Sequence, residues 1–409
     1  QAFFKAQARS KGQLPSGLSA MELKVTAKKG VGFYVRAAAA FLKGVEAREA
    51  ADGKEAQEAK APVDFLRITA LGDAMGVAVQ VANRMEVDGL GDIVGVQTNY
   101  PDMPNGRKCS QMVVRIKRKG ATAKVPLIKH SPFPSAIIKP RPVHIWLPEG
   151  YDADTERYAV LYMHDGQNLF EDSQAAFGTS WGAADTLSAL IKDGTVRKTM
   201  IVGVFNGEVS RFRDYVPGPI VDRLDSATRE KLLAQGVYGG PPLSADYVRF
   251  LVEELKPYID ANYRTKPDKA NTFVMGSSMG GLISMHTLVL HPDVFGAAGC
   301  VSTHWPLSID DDTLDNEAKG WRDTVCEACK GYLEESFPAA GTHRFWFDYG
   351  SEHLDSHYEP YQKVADGVFA AKGYKQGEDL VTKSYPGTSH NEASWAARFK
   401  EPLTFLLRK

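Results

Sequence analysis

Cysteine is scarce in this chain, with four in 409 residues: Cys109, Cys300, Cys326 and Cys329. So few exclude a disulfide-built scaffold. The pair in CEAC, Cys326 and Cys329, has no second CxxC and no nearby His pair to complete a zinc tetrad. The thiols therefore read as free, no metal or cofactor is expected, and a reducing compartment, cytoplasmic or nuclear, suits them. No apolar run reaches the roughly 18 residues that a membrane span requires. No secretory signal is visible; the first residue is Gln, which leaves room for a segment ahead of it. Charge of one sign is lacking too, since the net is −1.

That small sum hides a division. Residues 1–130 hold 21 Lys+Arg against 12 Asp+Glu, and the remainder holds 28 against 38. A basic first part and an acidic second part point to two domains with different partners. Residues 1–20 read as a polar lead-in, 21–120 as a small α+β domain with a charged, alanine-rich insert near 46–62, 121–130 as a linker and 131–409 as an α/β domain. In the first domain, Glu22–Ala27, Phe65–Ala70, Ile93–Asn99 and Gln111–Lys117 alternate like strands. Gly32–Lys43 and Leu71–Glu86 carry helical spacing, the first through Phe33, Val35, Ala39 and Leu42. The order is β-α-β-α-β-β, closed by a long hairpin.

The second domain alternates short apolar strands with amphipathic helices, which predicts a mostly parallel sheet covered on both faces. The predicted strands are Val143–Leu147, Ala159–Met163, Met200–Phe205, Thr272–Met275, Ala297–Val301, Arg344–Tyr349 and Leu380–Tyr385. The predicted helices are Trp181–Lys192, Ala245–Asn262, Met279–His291, Tyr358–Lys372 and Glu392–Leu407.

One strand runs into FVMGSSMGGLISMHTL. Only Ser278 fits G-x-S-x-G, between Gly276 and Gly280. A nucleophile at such a strand-to-helix turn is strained, and side chains on the flanking glycines would clash. The N–H of Met279 then points to where an oxyanion forms. The base and acid follow in the order acid, then His. His390, between the last strand and the last helix, is the candidate base; His286 and His291 belong to the nucleophile helix and point away. Asp355 and Glu352 are both candidate acids, with Asp355 favoured, although it also suits an N-cap. The second oxyanion donor falls at Gly166 or Gln167, where His164 reads as a loop anchor and Asp165 as a turn stabiliser. Arg211 and Arg213 suit either a substrate anion or internal ion pairs. His304 and Trp305 are placed on the pocket wall, and DRLDSATREKLLAQGVYGGPPLS is expected to cover the site.

The stretches VLYMHDGQNLF, IVGVFNGEVSRFRDYVP, FVMGSSMGGLISMHTLVLHPDVFGAAGCVS, FDYGSEHLDSHYEPYQ and PGTSHNEASWAARFKEPLTFLL resemble the putative esterase family of α/β-hydrolases, which includes esterase D-like, enterochelin-type and feruloyl esterases. The resemblance spans Ser131 to Lys409 and implies a cofactor-free serine hydrolase of carboxylic esters. It leaves the acid open, because His353 occupies the spot three residues after Gly350. The stretches LKVTAKKGVGFYVRAAAAFL, FLRITALGDAMGVAVQVANRM, GDIVGVQTNY and CSQMVVRIKRKG resemble an Alba-like domain. That resemblance implies RNA or DNA binding and dimerisation. Lys28, Lys29, Arg107, Lys108, Arg115, Lys117, Arg118 and Lys119 are the residues to neutralise phosphates, whereas Asp73 stands where the family often has a basic residue. An idle hydrolase half and an acyltransferase on the same triad are the alternative readings.

Overall fold

The structure is a computed structural model, and it describes residues 21–45, 59–60, 62–63, 65–100, 108–119, 127–151, 154–316 and 318–409. The predicted lead-in, nearly all of the insert, Arg107 and most of the linker lie outside the described residues. Two compact units divide the chain. The first holds the described residues between 21 and 119, and the second holds 127–149 and 156–409.

In the first unit, β1 (Met21–Val25), β2 (Phe65–Leu71), β3 (Gly91–Asn99) and β4 (Gln111–Arg118) form one sheet in the order β1-β2-β4-β3. β1 runs parallel to β2, while β4 is antiparallel to both its neighbours, so β3 and β4 form the expected hairpin. Two helices complete it: α1 (Val31–Lys43) and α2 (Met75–Val87). The buried face of α1 is Tyr34, Ala38 and Leu42 rather than the predicted Phe33, Val35, Ala39 and Leu42; Phe33 is 49% exposed. Tyr34 turns inward because its hydroxyl finds partners at the Thr26 N–H and Oγ1, which suits an aromatic ring with a polar tip. The core is aliphatic, centred on Leu66, Ile68, Val81, Met85, Val114 and Ile116.

The second unit is built on eight strands: β5 (Ile128–Phe133), β6 (Arg141–Trp146), β7 (Ala159–His164), β8 (Thr199–Val204), β9 (Thr272–Ser277), β10 (Ala297–Val301), β11 (Arg344–Glu352) and β12 (Leu380–Ser389). Their order is β12-β11-β10-β9-β7-β8-β6-β5. The first six in that order are parallel, and β6 and β5 add an antiparallel edge. β5 begins inside the predicted linker, because Ile128, Lys129 and His130 pair with β6. The helices are α3 (Ala183–Lys192), α4 (Arg211–Tyr215), α5 (Gly218–Val221), α6 (Ser226–Ala234), α7 (Ser244–Arg249), α8 (Lys256–Asn262), α9 (Met279–Leu290), α10 (Ala318–Ser336), α11 (Glu359–Ala371), α12 (Glu392–Arg398) and α13 (Lys400–Leu406). A π-helical stretch, Phe250–Leu255, joins α7 to α8. β7, β8, β9 and β10 are buried along their whole length, as expected for parallel strands covered on both faces. Because six strands point the same way, the turns that follow them open at one edge of the sheet, where ligands bind in α/β folds. No described helix is long and apolar enough to cross a membrane.

Candidate active site

Ser278 stands between β9 and α9 with φ 59° and ψ −126°, a conformation that L residues avoid. Two glycines make room for it. A Cβ on Gly276 would lie 2.8 Å from the Gly280 backbone, and one on Gly281 would lie 3.2 Å from the backbone of Cys300 and Val301. Gly280 is looser, its virtual Cβ meeting the Asp165 carboxylate at 3.3 Å. The turn therefore needs glycine most at Gly276, the first glycine of the pattern, and next at Gly281, just beyond it. Ser278 is held through its main chain: its N–H donates to the Val301 carbonyl at 2.9 Å, and its carbonyl accepts from the His304 N–H at 3.2 Å. Met279 opens α9, where the first N–H groups have no intrahelical acceptor.

His390 precedes Asn391, whose side chain caps α12 by accepting from the Ser394 N–H at 2.9 Å. Its Nδ1 lies 2.5 Å from Asp355 Oδ1. An ionised carboxylate only accepts, so that contact places the imidazole proton on Nδ1 and leaves Nε2 for other work. Asp355 is buried and does not cap α11; its side chain is fully engaged. Oδ2 accepts from Ser302 Oγ at 2.7 Å and from the Gly350 N–H at 2.7 Å. Burial pushes the Asp355 carboxyl up, but the bonds from His390, Ser302 and Gly350 prevail and hold it below the ordinary carboxylate range. Glu352 is exposed and meets only the Ser351 hydroxyl, at 3.3 Å, so it is not brought to His390. His353 bonds Ser389 Oγ at 3.0 Å.

Ser302, Trp395, Arg398 and Tyr358, none of them singled out from the sequence, complete this arrangement. Ser302, at φ 40°, also accepts from Arg398 at 2.7 Å and from Trp395 Nε1 at 2.9 Å. Arg398 in turn pairs with buried Asp348 at 2.8 Å. Tyr358 is fully buried, with its hydroxyl 2.6 Å from His304 Nδ1 and 3.4 Å from His390 Nδ1. No linear spacing announces these contacts.

The loop after β7 carries Gly166 and Gln167 in a single 3-10 turn, reached through Asp165 at φ 54°. Packing requires glycine at Gly166: a Cβ there would fall 2.6 Å from the Gly203 backbone. Gln167 is half-buried, and its Oε1 faces the Asn206 N–H at 3.4 Å. His164 anchors the loop on the Tyr247 hydroxyl at 2.8 Å. Asp165 accepts two bonds from Arg211, each 2.8 Å, and one from Asn206 at 2.7 Å. Burial raises its pKa, and Arg211 and Asn206 outweigh that and bring it below the usual range.

Arg211 is thus committed to an internal ion pair, and Arg213 donates to the Pro241 carbonyl at 2.8 Å. His304 and Trp305 have almost no exposed surface. Both are buried in the interior, with Trp305 Nε1 on Gln362 at 2.7 Å and its ring stacked on Phe347. An indole needs a partner for its N–H when buried, and Gln362 supplies it. The segment expected to cover the site joins the loop after β10, with Tyr238 bonded to the Leu307 carbonyl at 2.6 Å and Gln235 to Ser308 at 2.9 Å. Cys326 and Cys329 lie on α10 as free thiols, and burial pushes Cys326 up to about 11.

Of the phosphate candidates in the first unit, Lys28 and Lys29 are exposed in the turn after β1, with Lys29 over the Phe33 ring. Lys108 is exposed, Arg118 is half-buried, and Lys119 faces Asp92 at 3.4 Å. Arg115 lies flat on Gly95, as a Cβ there would meet its guanidinium at 3.4 Å. The Lys117 side chain lies outside the described residues.

A mostly parallel sheet that delivers a serine into a strained strand-to-helix turn is the arrangement of the α/β-hydrolase class. Within that class, the chain matches the family model described as "Putative esterase" over residues 135–405, and it belongs to that family. It is a hydrolase acting on carboxylic esters. It is similar to "Uncharacterized protein YbbA" of Bacillus subtilis, 21% identical over 271 residues, 65% of this chain and 92% of that protein. It is also similar to an "Endo-1,4-beta-xylanase/feruloyl esterase" of Xylanibacter ruminicola, 28% identical over 42% of this chain and 21% of that protein. Among solved structures it is similar to an IroE-like serine hydrolase from Shewanella oneidensis, with a TM-score of 0.48 and 20% identity, covering 68% of this chain and 79% of that one.

Proposed function

We propose that this ester hydrolase works through an acyl-enzyme, with Ser278 as nucleophile, His390 as general base and Asp355 as the acid that orients it. The observation that carries the reading is the 2.5 Å contact between His390 Nδ1 and a buried Asp355, at the sheet edge where Ser278 stands. With Nδ1 committed, Nε2 takes the Ser278 proton as the oxygen attacks the acyl carbon. The Met279 N–H, with that of Gly166 or Gln167, receives the charge that develops on the carbonyl oxygen. The protonated imidazole then hands its proton to the leaving alcohol. Water, deprotonated by the same nitrogen, releases the acid. The test uses a fluorophosphonate probe, p-nitrophenyl acetate and, because one relative is named a feruloyl esterase, methyl ferulate. Wild type labels and hydrolyses at least one ester, and Ser278→Ala does neither. Retained labelling in that variant would sink the reading.

We infer that the first unit is an Alba-like module that holds nucleic acid. Its β-α-β-α-β-β order and the exposed Lys28–Lys29 turn support this. Binding of a labelled RNA hairpin by the full chain should fall steeply between about 50 and 200 mM salt. Substitution of both lysines by Ala should weaken it without touching hydrolysis. No binding at low salt would leave the module without this role.

A further inference from the structure

The Ser302 hydroxyl joins the acid to α12, and the three-residue scheme gives it no part. The residue is fully buried and follows β10 at φ 40°, a strained conformation for serine. The main chain on either side of it holds Ser278. The Val301 carbonyl accepts from the Ser278 N–H at 2.9 Å, and the His304 N–H donates to the Ser278 carbonyl at 3.2 Å. The Ser302 N–H itself donates to Asp348 Oδ1 at 3.0 Å. The turn that grips the backbone of the nucleophile therefore also presents a side chain to the acid.

A serine hydroxyl has one proton to give and two lone pairs to offer, whereas indole and guanidinium nitrogens only donate. Trp395 Nε1 at 2.9 Å and Arg398 Nη2 at 2.7 Å therefore fill both lone pairs of Ser302 Oγ. Its proton then goes to Asp355 Oδ2, at 2.7 Å. Each donor is itself fixed. Trp395 and Arg398 stand three residues apart on α12 and so share a face. Arg398 is a buried cation, balanced by Asp348 Oδ1 at 2.8 Å, and Asp348 also accepts from Trp346 Nε1 at 2.7 Å. Both donors reach the base as well. Arg398 donates to Thr388 Oγ1 at 3.2 Å, two residues before His390, and the Trp395 ring stands edge-on to the His390 imidazole with centroids 4.9 Å apart.

We propose that Ser302 is a positioning residue of the ester hydrolysis: its proton, locked by Trp395 and Arg398, pins the Asp355 carboxylate so that Oδ1 meets His390 in one orientation. This rests on the acyl-enzyme reading above. Oδ2 is taken by Ser302 and the Gly350 N–H, which leaves Oδ1 to His390 Nδ1. The carboxylate cannot turn about its Cβ–Cγ bond without breaking charge-assisted hydrogen bonds. Ser302 touches no reacting atom and neither gains nor loses a proton. When the imidazole takes the Ser278 proton, the positive charge stays on the ring, because a carboxylate with two donors on Oδ2 is a weaker base for the Nδ1 proton. The Arg398–Asp348 pair carries this hold into α12, so the helix that follows the base also sets the acid.

A double-mutant cycle with p-nitrophenyl acetate tests this. Ser302→Ala should lower kcat by roughly ten- to a hundredfold, the size of a hydrogen bond to a charged group. KM should stay within about threefold, because the residue touches no substrate. On the Asp355→Asn background the same substitution should lower kcat by less than about threefold further, since Ser302 acts through that carboxylate. A residue that only staples α12 to the sheet would slow both backgrounds alike. Trp395→Phe keeps an aromatic ring and frees one lone pair of Ser302. It should lower kcat by about three- to tenfold, with little further loss on the Asp355→Asn background, and it decides the matter should Ser302→Ala fail to fold. An unchanged kcat, a loss carried by KM, or equal losses in the two backgrounds would overturn the inference while Ser278→Ala stays inert and Asp355→Asn stays slow. An active Ser278→Ala, or an Asp355→Asn as fast as wild type, would overturn the reading beneath it instead.

Discussion

Asp355 and Glu352 differ in how much of their carboxylate the protein uses. Asp355 has both oxygens bonded, to His390, Ser302 and the Gly350 N–H, whereas Glu352 faces solvent. A carboxylate that fixes the tautomer of a base acts chiefly on kcat. Asp355→Asn should therefore cost about 10³–10⁴ in kcat with p-nitrophenyl acetate, and Glu352→Gln should stay within about twofold. Steady-state rates on the two variants check this, and the reverse order would restore Glu352 as the acid. At this scale the sharp turn at Ser278 and the loop position of His390 were legible, because each follows from spacing: glycine two residues either side of Ser278, and His390 between the last strand and helix. Ser302 and Tyr358 were not legible. They meet Asp355 and His390 through a positive-φ residue and a helix cap, and neither feature leaves a repeat in the sequence.

The elements divide by how apolar they are. β7 to β10 were read to within a few residues because buried parallel strands are nearly continuous hydrophobic runs. α10 escaped notice. Its buried Trp321, Val325, Ala328 and Tyr332 have helical spacing but sit among charges and two glycines. β5 escaped because IKHSPF is half polar and contains proline. The turn from β9 to α9 gives a test at this scale. A methyl on Gly276 would meet main chain rather than a movable side chain, so Gly276→Ala should cost about 1–3 kcal/mol of stability and abolish labelling by displacing Ser278. Gly367, in α11, has nothing within 4 Å of its virtual Cβ. Gly367→Ala should stabilise by about 0.5–1 kcal/mol. Urea melts of both variants check the pair, and a neutral Gly276→Ala would show that the turn tolerates a side chain.

Across the whole molecule, buried imidazoles set the acid limit. Burial pushes His164, His286 and His304 each down to about 3 from an ordinary 6.5. The folded state holds them neutral, while the unfolded chain takes up protons as soon as the pH falls below about 6.5. Their contribution is whole above that value and is lost as the pH drops toward about 3, at about 1.4 kcal/mol per pH unit for each group. The depressed carboxyls of Asp165 and Asp355 add to the loss lower down. Urea midpoints should therefore fall between pH 7 and pH 4.5. His286→Gln, which can keep a bond to Tyr332 far from Ser278, should shrink that fall; a flat or rising midpoint would contradict the assignment.

The node at Ser302 ties Asp355 to Arg398 and Trp395 on α12. During synthesis Ser278 leaves the ribosome more than a hundred residues before Trp395 and Arg398. At cellular elongation rates that interval is on the order of ten seconds. On the acyl-enzyme reading proposed above, the nascent polypeptide carries an unarmed nucleophile throughout it, and ester cleavage is expected only after α12 has been translated.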